Sequence, residues 1–80
     1  MAVYILIEKI ECDSSSAVYL FSLVDGRSGK FKIDLVTGKT VLIEPILNDD
    51  GSLFARAAFK IKKSWEKNKS NLPDKTCWAS

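Results

Sequence analysis

The side chains that most often carry catalysis are scarce in this sequence. The 80-residue chain has no histidine, which removes the one side chain that titrates near neutrality. With it go any His-based acid–base pair, Cys–His dyad or imidazole metal site. The two cysteines, Cys12 and Cys77, stand far apart without metal-ligand spacing. "GRSG" and "DDGS" read as turns, since no strand–Gly-rich loop–helix unit surrounds either. Asp49 and Asp50 could hold a cation weakly, but a surface turn accounts for them more simply. The expectation is a protein without catalytic residues, metal or cofactor.

What remains chemically expressive is the distribution of charge. Residues 1–50 carry five Lys/Arg and eight Asp/Glu, and residues 51–80 carry seven against two. An acidic front is joined to a basic back. In the basic part, Arg56, Lys60, Lys63 and Lys67 fall on one helical ridge, with Phe59 beside them. Cations around an aromatic suit an acidic protein surface or nucleic acid, the ring stacking while the cations meet phosphates. A solvated helix face is the simpler expectation.

The last four residues, "CWAS", also fit the prenylation pattern, with the polybasic "KIKKSWEKNK" upstream. Packing of the tail on the domain is the expected role instead, with Trp78 largely buried. No stretch reaches the roughly 20 apolar residues of a membrane span, and the first residues lack the basic region of a signal peptide. A cytoplasmic protein with reduced thiols is expected, and a membrane partner is not.

Elements must position these groups, and 46% hydrophobic residues in 80 positions suit one small domain. "VYILIEKIEC" (3–12), "AVYLFSLV" (17–24), "GKFKIDL" (29–35) and "KTVLIEPI" (39–46) are rich in β-branched and aromatic residues and separated by "DSSS", "DGRSG" and "VTG". Three-residue loops at 13–15, 26–28 and 36–38 would set Ile7 opposite Phe21, Phe21 opposite Ile33, and Ile33 opposite Val41. All three registers put odd-numbered apolar residues on one face. The strand–turn segment Phe31-x-Ile33-Asp34-x-x-Thr37-Gly38 resembles that of cadherin-type repeats. The calcium-binding acidic motifs of such repeats do not follow it, so the likeness is one of hairpin chemistry.

Apolar positions 53, 54, 57, 58, 61 and 65 then predict a helix over about 52–69, capped by Asp50 or Ser52. Leu53, Ala57, Ile61 and Trp65 would pack on the odd face, and a tail (70–80) would follow. The expected fold is a single α+β domain over 1–80, a four-stranded antiparallel meander followed by one helix (ββββα).

One helix covers one face of such a sheet, so the other should be polar. It is not. Tyr4, Leu6, Ile10, Val18, Leu20, Val24 and Leu42 point there in the assigned registers, with Leu6 opposite Ser22, Ile10 opposite Val18, and Tyr4 near Val24. A patch of this kind is an interface or a face hidden by the chain's own tail. The expected function is therefore a small protein-binding module of the inhibitor, immunity or adaptor type, engaging a protein partner or a second copy. A nucleic-acid-associated protein using the basic helix is the alternative.

Overall fold

The computed structural model describes residues 3–68 and 71–79. Its strands are β1 (Tyr4–Cys12), β2 (Ser16–Ser22), β3 (Ser28–Asp34) and β4 (Thr40–Glu44). The helix α1 (Ser52–Lys67) follows, and then a fifth strand, β5 (Lys75–Ala79). The expected α+β meander and helix are present. Residue 69, where the helix was expected to end, lies outside the described residues. The strands form one antiparallel sheet in the order β4-β3-β2-β1-β5.

The core lies between α1 and one face of this sheet. Ile5, Ile7, Ala17, Tyr19, Phe21, Phe31 and Ile33 from the strands meet Ala57, Ala58, Ile61 and Trp65 from the helix, all of them buried. Phe31 sits at the centre of an aromatic cluster, stacked on Tyr19 at 5.7 Å and edge-on to Phe54 at 5.9 Å. Such pairs add to the stability from apolar burial alone. The helix starts at Gly51, in the left-handed region at φ 100° and without a side-chain cap of its own. The expected capping is instead done from one and two residues upstream. Asp50 Oδ1 accepts the Ser52 N–H at 3.0 Å and Asp49 Oδ1 the Leu53 N–H at 3.4 Å. The pair of carboxylates thus satisfies N–H groups that the first helical turn leaves open.

Each hairpin corrects the expected register in its own way. The first turn is tighter than expected, because Asp13 Oδ1 accepts the N–H groups of Ser15 and Ser16 and the Asp13 N–H bonds Ser16 O. A bulge between Lys9 and Glu11 absorbs the difference. Ile7 therefore does face Phe21, and Leu6 faces Ser22, but Val18 faces Glu11 and not Ile10.

In the second hairpin Gly26, at φ 94°, closes a loop of Val24, Asp25 and Gly26. Its frame is the Leu23 N–H to Arg27 O bond. Glycine belongs at the last position of such a loop, not at the first, where it was placed from sequence. The register slips by four residues, so Phe21 faces Gly29 and Ala17 faces Ile33. An even slip keeps every side chain on its expected face.

The third hairpin slips by an odd number, and the faces exchange. Asp34 Oδ1 accepts the N–H groups of Val36 and Thr37, so the chain turns one residue early and the loop spans 35–38. Phe31 then faces Leu42 and Lys32 faces Val41. Leu42, expected on the outer face, packs against the core. Val41 and Ile43, expected inside, are 47% and 52% exposed. Gly38 is fixed twice over at this turn. Its φ is 78°, and a Cβ there would come within 2.5–2.9 Å of the Trp65 ring.

Candidate functional site

The tail packs on the domain as expected, but with Trp78 half-buried where it was expected to be largely buried. It does not wrap the outer sheet face. It lies in the plane of the sheet as β5, with Ile5 opposite Trp78, Leu6 opposite Cys77 and Glu8 opposite Lys75. Alternation then sends Trp78 and Thr76 to the helix side and Cys77 to the outer side. Trp78 is half-buried against the core, and the Arg56 guanidinium sits over its ring at 5.3 Å. Further contacts hold the strand down. Tyr19 donates its hydroxyl to Pro73 O at 2.7 Å, and Lys9 pairs with Asp74 at 2.9 Å. Lys75 reaches Glu8 at 3.4 Å. The Lys9 ammonium holds the Asp74 carboxyl below its ordinary value, and Asp74 raises Lys9 in return.

The outer face is consequently open among the described residues. Tyr4 and Leu6 are exposed there, at 47% and 38%, and Ile10 is exposed at its bulge. Val18 and Leu20 are only half-buried, in the middle of the sheet. Val24 lies apart from them at the tip of the second hairpin, fully in solvent, where it lines a shallow hollow with Tyr4, Leu23 and Arg27. The Cys77 thiol lies close enough to Tyr4 to hold that hydroxyl above its ordinary value. Val41, brought to this face by the odd slip, is an addition that the sequence registers did not contain.

The apolar side chains of this face are not contiguous, as the expected registers had them. Read across the sheet through Leu20, directly opposed residues run Glu44, Lys30, Leu20, Glu8, Lys75. The next row runs Val41, Lys32, Val18, Glu11. Each apolar residue of the central strand is flanked by an acid on one side and a base on the other. The slip of β3 by four residues produced this arrangement, by placing its two lysines beside Leu20 and Val18.

The basic ridge of the helix divides between three tasks. Arg56 is taken up by Trp78. Lys63 lies over the 58% exposed Phe59 ring at 5.6 Å. Lys60 and Lys67 line a cleft of about 420 Å³ between the helix and the tail, with Ser64, Asn68, Asn71 and Thr76 as further polar walls. No carboxylate is among the described residues that line it.

The described residues contain no group of three or more His, Cys, Asp or Glu placed to hold a metal ion, and no helix long and apolar enough to cross a membrane. No protein-family model, curated protein or solved structure matches the chain.

Proposed function

We propose that the protein is a non-enzymatic binding module, of the inhibitor, immunity or adaptor type, whose working surface is the outer face of its sheet. The observation that carries this reading is the direction of the tail. Because β5 pairs in plane and turns Trp78 toward the helix, no described part of the chain covers Tyr4, Leu6, Val18 and Leu20. Exposed apolar side chains interleaved with charges of both signs make a mixed patch of the kind that non-obligate protein interfaces bury.

Leu6→Lys and Leu20→Lys test the reading. Each should abolish association with the protein's partner, while the thermal melt stays within a few degrees of the wild type. A lowered melting temperature with association unchanged below it would make the face structural and sink the proposal.

A second reading has its own observation in the cleft around Lys60 and Lys67, whose described lining holds no carboxylate. Lysines, hydroxyls and amides in a groove are a phosphate-binding set.

A further inference from the structure

The charges on the outer face are not merely mixed. They are arranged antisymmetrically about β2. The row through Leu20 reads acid, base, leucine, acid, base from β4 to β5. The row through Val18 places Lys32 on the β3 side and Glu11 on the β1 side. From this pattern we infer that the outer face is the interface of a symmetric homodimer, with two sheets packed face to face about a two-fold axis parallel to β2. This inference rests on the reading of that face as the binding surface and names its occupant.

The geometry of the two-fold decides the matter. Rotation about an axis along β2 keeps each row at its own height and exchanges left for right. Leu20 then meets Leu20 of the second copy, and Val18 meets Val18. Glu8 meets Lys30, Lys75 meets Glu44, and Glu11 meets Lys32. Every charge in the two rows finds its opposite. A two-fold running across the strands would keep left and right in place, so Glu44 would meet Glu44 and Lys30 would meet Lys30. The charge pattern permits one axis and rejects the other, which is how electrostatic complementarity fixes register. At the turn end Asp34 and Asp13 flank Ser16 on the β3 and β1 sides, so this axis sets acid against acid there, a repulsion at the edge of the contact that the two complementary rows must outweigh.

Two sheets packed in this way keep their strands aligned within about 30° and stand about 10 Å apart. Five strands span four spacings, about 19 Å in all, so the contact falls toward the small end of specific interfaces. A dimer of modest affinity, weakened by salt, is the result. The Glu8–Lys75 pair at 3.4 Å already has partial exposure on both sides, and stacking would remove water from it.

Sedimentation equilibrium of the purified chain over a wide concentration range tests the inference. The wild type should pass from monomer to dimer, and added salt should shift the midpoint upward. Glu8→Lys and Lys30→Glu should each weaken dimerisation about ten-fold or more, since each sets like charges face to face. The double variant should recover to within a few-fold of the wild type, because the swapped charges meet across the axis again. Thermal melts of all three confirm that the monomers are folded. A chain that stays monomeric throughout overturns the dimer. So does a dimer indifferent to both single changes and to Leu20→Lys. The broader reading fails separately: it survives a monomeric result if Leu6→Lys and Leu20→Lys still abolish association with another protein, and falls if they do not.

Discussion

Tyr19 joins the core to the tail at a single atom. Its ring stacks on Phe31 inside the sheet–helix core, while its hydroxyl donates to Pro73 O at 2.7 Å. Burial pushes that hydroxyl well above its ordinary value, with the negative ends of Cys12 and Asp74 adding to the effect. The folded form thus holds the proton more tightly than the unfolded one. The corresponding stability is complete below the unfolded value of about 10 and is lost as pH rises through the folded value. Lys9, raised by Asp74, contributes to the same alkaline limb with the same sign. Tyr19→Phe removes the bond to Pro73 and should cost about 0.5–1.5 kcal/mol at neutral pH. It should also flatten the loss of stability in alkali. Melts over a pH series, with tyrosinate absorbance followed in parallel, check both effects. An alkaline limb as steep as the wild type's would assign it to Lys9 and Tyr4.

At the scale of elements, β5 is the addition that most changes the molecule. It gives the edge of β1 a partner and closes the helix side of the core with Trp78. A tryptophan side chain buries about 150–250 Å² when fully covered, and half of that at about 25 cal/mol per Å² is worth about 2–3 kcal/mol. Deleting residues 72–80 should therefore lower the melting temperature by many degrees in a domain this small. It should also leave β1 an unpaired edge prone to aggregation. An unchanged melt would show that the strand adds nothing to the fold. The sequence made the tail's attachment legible through Trp78, Leu72 and Pro73, but not its form, because five residues of "KTCWA" alternate too briefly to declare a strand. Strand and helix positions were legible from periodicity. Register was legible only at the Ile7–Phe21 and Leu6–Ser22 pairs of the first hairpin: the four-residue slip of β3 changed no face, while the one-residue slip of β4 exchanged Leu42 for Val41 and Ile43. The signals that set both slips were turn acids, Asp25 and Asp34, whose carboxylates gather N–H groups of the loop. Gly26 at the end of its loop was the remaining clue. The outer face was legible on β1 and β2 but not on β4, where Val41 stands in place of Leu42, and its charge pattern was not legible, since that depends on the register of β3.

The whole molecule keeps its two expressive surfaces on opposite sides of the sheet. The outer face carries balanced, alternating charge, whereas α1 presents an excess of cations with Glu66 as its one acid. Changes on one side should leave the other intact, which makes the helix a clean control for the sheet. Arg56 is excluded from such a control because it covers Trp78 at 5.3 Å. Lys60, Lys63 and Lys67 remain. Reversing all three to Glu should change stability by no more than about 1 kcal/mol, as exposed charges do. It should leave self-association where it was. If the cleft beside Lys60 and Lys67 meets phosphates, the unaltered chain will bind single-stranded DNA or RNA with an affinity that falls steeply with salt. Three phosphate contacts correspond to a slope of about −2 in log K against log salt, and the triple reversal should abolish it. Binding that ignores salt, or that survives the reversal, cannot come from these lysines. Binding absent from the unaltered chain leaves the helix as the solvated outer wall of the core.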